Sequence, residues 1–133
     1  MRWFESIRPS IERSPRAGRA VTLREALDGL FTAWDSGDAL RAVAHFAPGA
    51  TYREAKRDPL VGRQDILAHF TRFFRDGPRW RFLPRETIVE GERAAVLYSF
   101  GIQTEAGGWT EHGGCALVWF SDGAIVEWRE FEG

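Results

Sequence analysis

WTEHGGCALVWF (Trp109–Phe120), SDG (Ser121–Gly123) and AIVEWREF (Ala124–Phe131) are two strand-like runs joined by a turn. Asp-Gly between two apolar, β-branched and aromatic runs is a strong short-range hairpin signal. Working back from this hairpin, two more strands are expected at about 80–90 and 93–103. Glu90-Gly91-Glu92 and Ala106-Gly107-Gly108 supply the turns. Alternation then assigns faces. On the last strand Val126, Trp128, Glu130 and Glu132 share one side, and Ile125, Glu127, Arg129 and Phe131 the other. On the strand before it, His112 shares parity with Thr110, Gly114, Ala116 and Val118, a face of small residues that leaves room for a ligand.

Helical patterns fill the first half. Thr22-Leu-Arg-Glu25 is a capping box, followed at helical spacing by Leu23, Ala26, Leu27, Leu30, Phe31 and Trp34. Asp38 caps a shorter helix with Leu40, Val43 and Phe46 on one face, ended by Pro48-Gly49. A short strand is expected over Ala50–Glu54, and residues 56–59 read as a polar loop. Gly62 opens a third helix over about 63–75, with Ile66, His69, Phe70 and Phe73 on its apolar face. Helix, helix, strand, helix and then four strands is an α+β order. It predicts a strongly curved antiparallel sheet wrapped around three helices, enclosing a pocket.

Composition narrows the function. With 133 residues, 44% hydrophobic and 14% aromatic, the chain is a globular domain able to bury a sizeable core. A net charge of −1 gives no basic surface for nucleic acid, and no apolar run is long enough to span a membrane. Residues 1–21 carry five Arg against two Glu and read as a basic N-terminal extension, leaving 22–133 as the folded domain. The extension lacks the continuous apolar region of a secretory signal, so the cytoplasm is the expected compartment. The single Cys115 has no partner cysteine, and no ligand spacing suggests a metal. Gly113 and Gly114 precede no helix and form no phosphate loop, so no cofactor is expected.

Trp34–Leu40, Phe46–Tyr52, Leu60–Ile66 and Phe120–Phe131, in this order, resemble the nuclear transport factor 2-like superfamily, in particular its SnoaL-like (polyketide cyclase-like) branch. The resemblance covers about residues 22–132 and implies a cone-shaped roll. It also implies a small apolar ligand inside the cone and a homodimer formed through the outer sheet face. Outer-face candidates are Leu117, Trp119, Ile125 and Phe131; apolar area there costs about 25 cal/mol per Å² in water. Because the fold hosts isomerases, hydrolases, cyclases, dehydratases and non-catalytic binders, it does not choose among them.

Three residues are candidates for chemistry: Glu54, Glu130 and His112. The resemblance places the Trp128 side inward, which puts Glu130 at the pocket beside an indole, where its charged form is disfavoured; alternatively it pairs with an arginine and only shapes the fold. Glu54 follows Ala50-Thr-Tyr-Arg and by resemblance to ketosteroid isomerases occupies their general-base position; otherwise it is a rim carboxylate beside Arg53 or Lys56. The positions of that family's oxyanion donors hold Leu30 and Ala116, which argues against steroid isomerisation. His112 is a candidate proton-transfer partner of Glu130 across the hairpin, since imidazole exchanges protons near neutral pH. Trp34, Tyr52, His69, Phe73, Tyr98 and Trp128 are expected to line the pocket, His69 reading equally as a core histidine. Two functions follow: a cofactor-independent enzyme with a carboxylate or histidine base, or a non-catalytic binding or association module.

Overall fold

The computed structural model describes residues 21–133, so the basic extension expected over 1–21 lies outside the described residues except for Val21. Helix α1, Leu23–Asp35, starts at the expected capping box. Thr22 Oγ1 accepts from the Glu25 amide at 3.1 Å, and Glu25 Oε1 accepts from the Thr22 amide at 3.0 Å. Its inner face buries Leu27, Leu30, Ala33 and Trp34. Helix α2, Ala39–Val43, is capped by Asp38, whose carboxylate accepts from the Arg41 amide at 3.0 Å. One turn of helix buries only one edge, here Ala42 and Val43, and Leu40, expected on the apolar face, is 71% exposed.

Strand β1, Phe46–Arg53, begins earlier than the sequence suggests. Helix α2 ends before Pro48-Gly49, and Phe46 is buried as a strand residue rather than on the helix face. The ladder to the neighbouring strand breaks between Phe46 and Thr51, and this interruption accommodates a proline that has no N–H to offer. A two-residue strand β2, Leu60–Val61, pairs antiparallel with β1 just after the expected loop over residues 56–59, at a place the sequence pattern leaves unassigned. Gly62, at φ +95°, turns the chain into α3, Arg63–Asp76, a backbone angle that glycine adopts without strain.

Strands β3 (Trp80–Glu90), β4 (Arg93–Gln103), β5 (Trp109–Ser121) and β6 (Ala124–Glu132) form successive antiparallel hairpins. The sheet order is β2-β1-β6-β5-β4-β3, with β1 parallel to β6. The result is a curved, unclosed, six-stranded mixed sheet with three helices, the α+β cone. The parallel pair comes from β1, which reaches β6 only after 70 intervening residues have formed the rest of the sheet.

One face assignment is reversed. Ile125, expected on the outer face, is fully buried. A bulge between Trp119 and Phe120 places Phe120 opposite Ile125, and a one-residue slip exchanges the two faces. Beyond the bulge the alternation holds: Trp128 is fully buried, while Phe131 is 49% exposed. The core is strongly aromatic. Trp128 meets Trp34 edge-on at 5.3 Å between ring centroids and stacks on Tyr52 at 6.2 Å.

Candidate functional site

Between α1, α3 and the concave sheet face lies a cavity of about 240 Å³. Its walls are aromatic, with Trp34, Phe73, Trp80 and Phe100 among them, and its polar groups are few. Tyr52, Glu54, His69, Tyr98, His112 and Glu130 all face it. Trp128 does not line the cavity; it is fully buried and packs against Trp34 and Tyr52. Leu30 and Ala116 are fully buried apolar residues, so neither offers a ligand a hydrogen bond.

The first polar group is built by β1 and α3. Tyr52 and Glu54 are two residues apart and point the same way, and the Tyr52 hydroxyl donates to Glu54 Oε2 at 3.3 Å. His69 projects from the apolar face of α3, with its Nε2 2.9 Å from the same oxygen. Arg57 Nε stands 3.7 Å from Oε1. Burial pushes the Glu54 carboxyl up. The hydrogen bond and charge of His69, the charge of Arg57 and the Tyr52 hydroxyl outweigh it, and the net result lies below the ordinary carboxylate range. Tyr52, buried beside Glu130 and Glu54, is held well above the usual phenol range and remains a donor.

The second group is Glu130. Its Oε2 accepts from Trp128 Nε1 at 2.9 Å, again between residues two apart on one strand face. Burial pushes its carboxyl up, the Trp128 hydrogen bond opposes this, and the charges of Glu54 and Glu132 add to the rise; the carboxyl reaches about 7. Its donor, the Trp128 indole, is neutral, and so is the neighbouring Tyr98 phenol.

His112 does not pair with Glu130. The hairpin register puts Ala116 opposite Glu130 and Gly114 opposite Glu132, so His112 reaches Glu132, with Nε2 3.4 Å from Oε2. Glu132 also accepts from the Tyr98 hydroxyl at 3.1 Å. Gly114 makes this approach possible, since a Cβ there would sit 2.5 Å from the Tyr98 hydroxyl oxygen and 2.9 Å from Glu132 Cγ. Two of these contacts have signals in the sequence. Glu132 shares the parity of Glu130, and the apolar-face position of His69 aims its ring towards the end of β1. No group of three or more His, Cys, Asp or Glu among the described residues is arranged to hold a metal ion.

The SnoaL-like domain family matches residues 27–128. The chain belongs to the SnoaL-like family. Its similarity to solved structures is one of fold. A protein from Jannaschia sp. CCS1 named as a putative SnoaL-like polyketide cyclase is 19% identical, with 92% of this chain and 90% of that one covered at a TM-score of 0.71. The epoxide hydrolase/cyclase-like enzyme SalBIII, of pyran ring formation in salinomycin, is 18% identical over 84% and 90% at 0.73. A protein with a ketosteroid isomerase-like fold from Catenulispora acidiphila, solved in complex with trimethylamine, is 16% identical over 84% and 88% at 0.73. No curated protein sequence matches. Among the described residues of this SnoaL-like protein no helix is long and apolar enough to cross a membrane.

Proposed function

We propose that this SnoaL-like protein is a cofactor-independent enzyme that moves a proton on a compact, largely apolar metabolite, by isomerisation, cyclisation, dehydration or hydrolysis. The observation that carries this reading is a pair of carboxyl groups on one aromatic cavity displaced in opposite directions, Glu54 downward and Glu130 up to about 7. Opposed environments of this kind separate a base from an acid. Glu54, oriented by His69, is the base, and Glu130 is the proton donor. A cavity of about 240 Å³ falls just below the roughly 300–1,000 Å³ of usual ligand sites, so the substrate is compact. The ring chemistry named for SalBIII and the Jannaschia protein favours cyclisation or hydrolysis within this set.

A non-catalytic binding role is the second reading. It is favoured by buried, apolar Leu30 and Ala116, which by resemblance to ketosteroid isomerases stand at their oxyanion-donor positions, and by the trimethylamine held by the Catenulispora protein. Mass spectrometry of a co-purified small molecule, followed by its incubation with fresh protein, separates the two. A chemically altered product supports the enzyme; quantitative return of the unaltered molecule supports the binder.

The outer sheet face is the proposed homodimer interface. Leu97 and Phe131 are 42% and 49% exposed there, beside half-buried Cys115, Leu117 and Trp119. Contiguous apolar area of this kind marks association surfaces. Light scattering at micromolar concentration is expected to give twice the chain mass for the native protein and the monomer mass for Leu97→Arg/Phe131→Arg. A native monomer contradicts the interface.

A further inference from the structure

An acid that has given up its proton inside an aromatic cavity must be recharged before it acts again. The protein groups acting on Glu130 are Trp128 from its own strand, Tyr98 from β4, Glu132 from β6 and, through charge, Glu54 beyond β1; its own charge is felt by Tyr52 on β1. An indole N–H does not release its proton at neutral pH. Tyr52 donates to Glu54, and Glu54 is engaged by His69. Tyr98 differs from these because its one hydroxyl stands between two carboxyl groups, donating to Glu132 at 3.1 Å and lying close enough to Glu130 for each to shift the other's protonation.

The cross-strand row explains how one phenol serves both. Tyr98, Gly114 and Glu132 lie side by side on β4, β5 and β6, and Gly114 has no side chain to separate the other two. In the next row Ala116 lies opposite Glu130 with a single methyl group. Glu132 then meets His112 at 3.4 Å, and the His112 side chain is 45% exposed. A continuous polar line therefore runs from the cavity acid to a solvent-exposed imidazole.

We propose that Tyr98, Glu132 and His112 form a proton relay that recharges Glu130 from solvent. This rests on the acid role given to Glu130 above. His112 in its imidazolium form passes its Nε2 proton to the Glu132 carboxylate. The resulting Glu132 acid donates to the Tyr98 oxygen as the phenol O–H proton moves to the Glu130 carboxylate. Tyr98 and Glu132 end as they began, Glu130 is a carboxylic acid, and neutral His112 takes a new proton from water. Imidazole suits the solvent end because it exchanges protons near neutral pH. Glu132 and His112 act through Glu130 and are relay residues rather than catalytic ones.

The test needs no substrate. The full chain labelled with carbon-13 at the glutamate carboxyls is followed by NMR, with relaxation dispersion near pH 7 reporting the rate at which Glu130 exchanges its proton. Tyr98→Phe keeps the ring and removes the hydroxyl; His112→Gln changes an exposed position. Exchange at Glu130 is expected to slow by roughly 10²-fold or more in each variant, the scale of losing a positioned proton-transfer group. Added imidazole is expected to restore it in His112→Gln but not in Tyr98→Phe. Unchanged exchange in both variants, with Glu130 still titrating near 7, overturns the relay and leaves the acid–base reading intact. Titration of Glu130 in the ordinary carboxylate range overturns that reading and the relay with it.

Discussion

Glu54→Gln and Glu130→Gln are each expected to lower turnover of the molecule the cavity accepts by roughly 10²–10⁴-fold, the usual contribution of a positioned acid or base. Both changes are nearly isosteric, so they remove proton transfer while keeping the wall of the cavity. The pH dependence separates the roles. Turnover requires Glu54 ionised and Glu130 protonated, so activity falls below the depressed titration of Glu54 and falls again as pH rises through about 7, where Glu130 loses its proton. Glu54→Gln should erase the acid limb of the residual activity, and Glu130→Gln the alkaline limb. Steady-state rates across pH check this, and turnover unchanged in both variants removes the mechanism.

Trp128→Ala is expected to cost about 3–5 kcal/mol of stability, the range for deleting a large buried aromatic side chain. Trp128 is fully buried, touches the rings of Trp34, Tyr52 and Phe31, and lies between Tyr52 of β1 and buried Val118 of β5 in the sheet. Urea unfolding measures the loss, and a change below about 1 kcal/mol would show that the site collapses around the gap. Trp128→Phe isolates the indole's second role. It keeps most of the packing but removes the N–H that favours ionised Glu130, so the Glu130 carboxyl should rise further.

Local chemistry was the part of this fold that could be read from letters. The Thr22 capping box, the Asp38 cap, the glycine before α3 and the three C-terminal turns each depend on a few neighbouring residues, and each sits where expected. Non-local pairing was harder to read. Nothing near Phe46 says that its strand runs parallel to β6, and Pro48-Gly49 resembles a helix stop as much as a strand irregularity. Alternation put Glu130 and His112 on the concave side, but parity carries no register. A two-residue offset in the ladder joins His112 to Glu132 instead. The same blindness to register hid the bulge that turns Ile125 inward. The contact between Glu54 and His69 spans 15 residues across a strand, a loop and a helix, and only the folded chain brings them within 2.9 Å.

These residues share one physical idea: a single aromatic cavity keeps one carboxyl ionised and the other protonated at the same pH. Direct titration of the glutamate carboxyl carbons by NMR, with Glu54→Gln and Glu130→Gln used to assign the signals, tests it without any ligand. Glu130 should show a midpoint near 7 and Glu54 one below its ordinary 4.5. Two midpoints together near 4.5 would contradict the account.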